Sequence, residues 1–166
     1  MSFATTGYRA ALSALKADTA VAAYMAANGG HWYLYDLGAK HPVEITGSDC
    51  PMIACIPGFG DGALPAATNV SHDVTLNLLF DVRVQDENSD AVVDLWALVV
   101  KALMTRFKSD RFGAAATGLY LCRPGAGPVS DTYGKSVAAD GEERLVRVAW
   151  KMEFTVALVF RRNLAA

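Results

Sequence analysis

Glu143-Arg-Leu-Val-Arg-Val-Ala-Trp-Lys-Met-Glu-Phe-Thr-Val-Ala-Leu-Val-Phe-Arg161 decides the fold, because it alternates as a β-strand does and runs far longer than one. Val146, Val148, Trp150, Met152, Phe154, Val156, Leu158 and Phe160 take the even positions, and Arg147, Lys151, Glu153 and Thr155 stand among the odd ones. Successive strand side chains point to opposite faces, so the pattern predicts one buried and one wetter face. At about 3.3 Å per residue the unbroken run would span roughly 60 Å. A compact domain of this length is only about 40 Å across. The excess must be absorbed by a bulge that bends the strand, or by one end leaving its own domain to lie against another subunit.

Working outward, Asp73 to Val84 alternates in the same way, with Val74, Leu76, Leu78, Phe80, Val82 and Val84 on one face. His31 to Leu37 and Pro51 to Pro57 read as shorter strands, the first aromatic and the second bounded by prolines. Leu119 to Cys122 reads as another. Thr6 to Asn28 carries apolar residues at helical spacing and is interrupted at Asp18-Thr19, which predicts two abutting helices or one kinked helix, closed by Asn28-Gly29-Gly30. A second helical pattern starts at Ser89 or Asp90 and runs to Phe107. Its apolar residues cover more than half the circumference, so two partners are required, a sheet on one side and the first helix or a neighbouring subunit on the other. Trp96 on this helix and Trp150 on the last strand are expected in the core.

Two stretches rich in Gly, Pro, Ser and Asp read as long loops, 58–69 and 123–142. Strands and helices do not alternate regularly. The expected fold is therefore α+β, a mainly antiparallel sheet of long strands with helices packed on one face, in a single domain over residues 1–166.

The chain has 166 residues, is 52% hydrophobic and carries a formal charge of -2. That is enough for one sizeable core, and it provides no global basic field for wrapping nucleic acid. No apolar run approaches the length of a membrane span, and the first residues lack the pattern of a signal peptide, so a soluble protein made in a cytoplasm is expected. Cys50, Cys55 and Cys122 form no disulfide framework and are expected to be reduced. Cys50 and Cys55 have a zinc-like spacing, but the strand-like text between them sends them to opposite faces, and neither His41 nor His72 belongs to a second ligand pair.

Gly58-Phe-Gly-Asp-Gly62 lacks the Lys-Ser/Thr of a phosphate loop, and no Ser lies in a Gly-x-Ser-x-Gly context. Trp32, Tyr33 and Tyr35 have few basic neighbours and suit packing better than base stacking. No catalytic residue, cofactor or metal is expected, and the protein is expected not to be an enzyme.

Leu12-Ser-Ala-Leu-Lys-Ala-Asp-Thr-Ala-Val21, the aromatic strand, the Pro51-Met-Ile53 strand, the long alternating strand, the amphipathic helix and the closing strand pair follow one another in an order that resembles the tail terminator and head-tail joining proteins of long-tailed bacteriophages. The resemblance covers most of the chain and rests on pattern and length. It implies a structural virion protein that forms a ring, usually hexameric, at the end of the tail tube, stops tail polymerisation and joins tail to head. Its partners would be copies of itself, the tail tube protein and a neck or connector protein, with DNA passing through the lumen and no membrane involved. A head-completion or connector-adaptor ring and a tail tube-like subunit share much of this description. A small enzyme or a ligand-binding α+β domain without a recognisable motif is the reading from another class. The residues expected to touch partners are Phe59, Asp61, Tyr133 and Lys135 at the loop tips, and Arg144 and Arg147 in modest basic groupings.

Overall fold

The computed structural model describes residues 3–34, 49–59, 71–85 and 88–163. The fold is α+β. Three α-helices, α1 (Phe3–Ala17), α2 (Thr19–Ala27) and α3 (Asp90–Asp110), lie with strands β1 (His31–Leu34), β2 (Met52–Phe59), β3 (Ser71–Val84), β4 (Leu119–Pro124), β5 (Val129–Val137) and β6 (Glu143–Asn163). The strand order is β1-β2-β3-β6-β4, with β5 also paired to β6. Among the described residues only the β1–β2 pair is parallel.

α1 and α2 are separate, as the break at Asp18-Thr19 predicts. Asp18 Oδ1 accepts from the N–H groups of Ala20 and Val21 at 3.0 Å each, satisfying donors that a helix start leaves without partners. At α3 the cap differs from the expectation. Ser89 makes no side-chain cap bond, and Asn88 Oδ1 accepts from Asp90 N at 2.9 Å instead. α3 ends at Arg111, in the left-handed region at φ 52°.

The core lies between the helices and one sheet face. β3 contributes Leu76, Leu78, Phe80, Val82 and Val84, and β6 contributes Met152, Phe154, Val156, Leu158 and Phe160. Phe80 and Phe154 stack at 5.1 Å between centroids, and Phe3 meets Phe160 edge-on at 5.4 Å. α1 crosses closely, since a Cβ at Gly7 would lie 2.4 Å from Phe160 Cε1. α3 buries Val92, Leu95, Val99, Ala102 and Leu103. Its second apolar stripe, including Trp96 and Phe107, packs partly buried against the same core. Trp96 and Trp150 are thus half-buried rather than fully inside. Trp96 Nε1 donates to Gly125 O at 3.1 Å and its ring meets Phe154 edge-on.

The expected 123–142 loop is corrected by the structure. β4 and β5 lie in series along one edge of β6, β4 against residues 156–160 and β5 against residues 143–152. Between them Gly125 N donates to Thr155 O at 2.7 Å, and a Cβ at Gly127 would fall 1.7 Å from Glu153 O. Two glycines thus let the link hug β6 without interrupting its cover. The β5–β6 turn is an Asp140-Gly141 turn with Gly141 at φ +82°. Ala138 N donates to Glu142 O, and Asp140 Oδ1 accepts from Glu142 N. The expected 58–69 loop also starts later, because Gly58 and Phe59 pair with Asn77 and Leu76 within β2. Residues 60–69 lie outside the described residues.

Two mutational outcomes follow from this packing. Phe160 is fully buried, so Phe160→Ala should lower unfolding free energy by about 3–5 kcal/mol. Gly127→Ala drives a methyl group into backbone and should cost about 2 kcal/mol or more, whereas exposed Ser130→Ala should stay within about 0.5 kcal/mol. Denaturant titration measures all three. An unchanged midpoint for Gly127→Ala would contradict the close approach.

Candidate protein interface

β3 accompanies β6 only from Trp150 to Asn163. Among the described residues, 143–149 of β6 pair with β5 alone, so a two-stranded ribbon continues past the end of β3 for roughly 23 Å at about 3.3 Å per residue. Of the two devices expected from the length of this strand the bulge is present, and residues 143–149 run past the end of β3. The bulge is Val148. Thr132 faces Ala149 and Tyr133 faces Arg147, which leaves Val148 as the extra residue. A Cβ at Gly134 would lie 2.7 Å from Val148 Cγ2, so that glycine makes room for the bulged side chain.

The bulge reverses the alternation. From Trp150 to Phe160 the even positions face the helices, but beyond Val148 the odd ones do. The expectation that Val146 and Val148 share a face with Trp150 is corrected accordingly. Leu145 and Arg147 lie on the helix-side face, and Val146 faces Gly134 on the other.

The register then assembles an apolar stripe. Tyr133 opposes Arg147, Lys135 opposes Leu145 and Val137 opposes Glu143, all on the helix-side face. Leu145 is thus the diagonal neighbour of both Tyr133 and Val137, within reach of long side chains. The three are 58%, 68% and 72% exposed for Tyr133, Val137 and Leu145 respectively, and among the described residues no helix packs over them. Charged groups border the stripe. Lys135 Nζ pairs with Glu143 Oε2 at 3.1 Å, and the Arg147 guanidinium sits 4.6 Å over the Trp150 ring. At the tip Arg144 pairs with Asp140 at 3.2 Å. The Tyr133 hydroxyl donates to Asp131 at 2.6 Å, which together with that carboxylate's charge raises its pKa.

Four of the residues expected to touch partners, Tyr133, Lys135, Arg144 and Arg147, are therefore brought together on one ribbon. Phe59 is the last residue of β2, remote in the sheet order from that ribbon, and Asp61 lies outside the described residues. Leu145 and Val137 were missed by sequence reasoning. The Asp140-Gly141 pair between Val137 and Leu145 is the hairpin signal that could have exposed them.

Among the described residues no helix lies on the outer face of the sheet, although Met52 and Ala54 are buried there. Ile56 and Leu79 oppose each other there, 37% and 45% exposed, with Thr155 beside Leu79 and Asp81 opposite Glu153 in the next row. Together with Phe80 and Phe154 they line a shallow groove of ≈ 420 Å³. Arg83 holds Asp81 through paired bonds of 3.0 and 2.8 Å. At the sheet's far end the Tyr120 hydroxyl donates to Asp73, which Arg161 also binds at 3.0 Å while stacking 4.5 Å over the Tyr120 ring. Arg161 is thus held in an internal ion pair.

Among the described residues no group of three or more His, Cys, Asp or Glu side chains converges, and no helix is long and apolar enough to cross a membrane. Cys55 and Cys122 are buried and Cys50 is half-buried. Burial pushes the Cys50 thiol up to about 11, helped by Asp49 and Asp81 and opposed by Arg83. Burial alone pushes Cys122 up to about 12 and raises Cys55 as well.

These thiols are neutral in the fold and ionise near 9.0 without it. Their contribution to stability is whole below pH 9 and falls as pH rises toward 11–12. In the folded protein at pH 8, iodoacetamide should label Cys50 slowly, and Cys55 and Cys122 only on unfolding, because the thiolate is the nucleophile. Mass spectrometry of the labelled protein reads this. Rapid labelling of all three at pH 8 would contradict the burial.

Comparison of the chain with models of known protein families and with curated proteins finds no match.

Proposed function

We propose that the protein is a non-enzymatic structural component of a phage virion, closing a ring at the end of the tail tube, terminating tail polymerisation and joining the tail to the head or neck. The observation that supports this most is the ribbon. A two-stranded ribbon with neither a third strand nor a helix beneath it is marginally stable in water. One that also exposes Tyr133, Val137 and Leu145 together carries a contact surface that a lone subunit leaves wet. A second subunit or the tail tube would supply the missing cover.

The element order is in keeping with the same reading, with a helical pair, short strands, a long strand and a helix crossing the sheet, followed by three closing strands where the terminator resemblance implies a pair. A ring requires heterologous contacts around its circumference and two different faces above and below. A subunit with helices on one sheet face, a different opposite face and a projecting arm offers such distinct surfaces. Contact through the arm would combine buried apolar area with strand addition along the free edge of β5.

The experiment is complementation with a Tyr133→Ser, Val137→Thr, Leu145→Thr variant. These side chains are exposed, so the purified variant should melt within a few degrees of the parent. Electron microscopy should show heads and tails left unjoined, or tails of abnormal length. Normal, infectious particles from a well-folded variant would contradict the proposal.

A further inference from the structure

Burial stops abruptly along β6. Ala149 is 1% exposed, yet from Arg147 through the turn and back to Tyr133 on β5 no residue is buried. That boundary coincides with the Val148 bulge, and the opposing strand shifts register at the same level, between Thr132 and Tyr133, with Gly134 next to the shift. On the body side Trp150 faces Val84 of β3 and Asp131 of β5, so β6 has a strand on each edge there. Thr132 Oγ1 donates to Ala149 O at 3.2 Å and closes the base. Beyond it lie five facing pairs, from Tyr133–Arg147 to Val137–Glu143. Opening them uncovers no core side chain, so the free energy of opening is that of a lone hairpin, which is marginal in water.

A side-chain contact crosses the bulge. The Arg147 guanidinium, on the tip side, lies 4.6 Å over the ring of Trp150, on the body side. In an unbroken strand residues 147 and 150 would point to opposite faces, and the bulge is what brings them to the same one. Trp150 Nε1 is buried and has no hydrogen-bond partner among the described residues, so swinging the tip away breaks no hydrogen bond of that donor.

We infer that residues 133–147 form an arm that opens and closes as one unit about the Val148 bulge, with Arg147 on Trp150 as the latch that holds it in line with the sheet. This is a property of the free chain and holds whatever the ribbon touches. A partner that binds the aligned arm meets only the latched fraction of chains, so the latch sets part of the apparent affinity.

Hydrogen exchange of the full-length chain, read by mass spectrometry at neutral pH with and without subdenaturing urea, tests the device. Ladder amides in 133–147 should exchange together, slower than an unstructured peptide but roughly 100-fold or more faster than those in β3 and in residues 152–160 of β6. Urea should speed exchange in the body and leave the arm almost unchanged, because opening the arm exposes little new surface. Arg147→Ala should lower arm protection about two- to fivefold, Arg147→Lys less because an ammonium can still sit over the ring, and neither should move the urea midpoint of the body. Arm amides that exchange in step with the body, or as fast as an unstructured peptide, overturn the hinge. Arm protection that Arg147→Ala leaves unchanged overturns the latch.

Discussion

The structure depends on keeping a strand of twenty-one residues hydrogen-bonded along both edges. A strand that long outruns any helix layer a domain of this size can lay over it, and each unpaired N–H or C=O left away from water is costly. β3 covers one edge from Trp150 to the end. The other edge needs two strands in series, and β4 and β5 provide them because Gly125 and Gly127 let the link stay within bonding distance of Thr155 and Glu153. What remains, residues 143–149, has one neighbouring strand among the described residues, and that shortfall is where the proposed partner would add.

Each feature of the ribbon follows from that shortfall. Val148 bulges, the strand turns its odd positions toward the helix side, and three apolar side chains gather where no helix among the described residues lies above them. Had the alternation continued unbroken, Val146 would have joined Trp150 on one face and Leu145 would have stood on the other. A single inserted residue thus decides which side chains the ribbon exposes. The ion pair Lys135–Glu143 and the Arg147–Trp150 stack hold the stripe's borders in place. Being exposed, they contribute little to stability and more to orientation.

Much of the fold was legible in the sequence because burial on one face writes a period of two or 3.6 into the residues. β3, the core half of β6 and the helices were found in that way, and Asp18 announced the break between α1 and α2. β5 was read as loop for the opposite reason. Val129-Ser-Asp-Thr-Tyr-Gly-Lys-Ser-Val137 is wet on both faces, so nothing selects an alternation strong enough to detect. The interface was legible in part. Tyr133, Lys135, Arg144 and Arg147 stood out by type, but Leu145 looked like one more residue of a core strand, since a bulge leaves no mark in composition. The outer groove was invisible, because Ile56 and Leu79 are ordinary strand residues until the register sets them side by side.

The central claim is that the ribbon is an assembly arm. Electron cryomicroscopy of the purified protein bound to tail tubes tests it most directly. The account predicts a closed ring of this chain at the tube end, with the side chains of Tyr133, Val137 and Leu145 covered by protein density in every subunit. Single copies at the tube end with the ribbon standing in solvent, or tube ends without the protein, would contradict it.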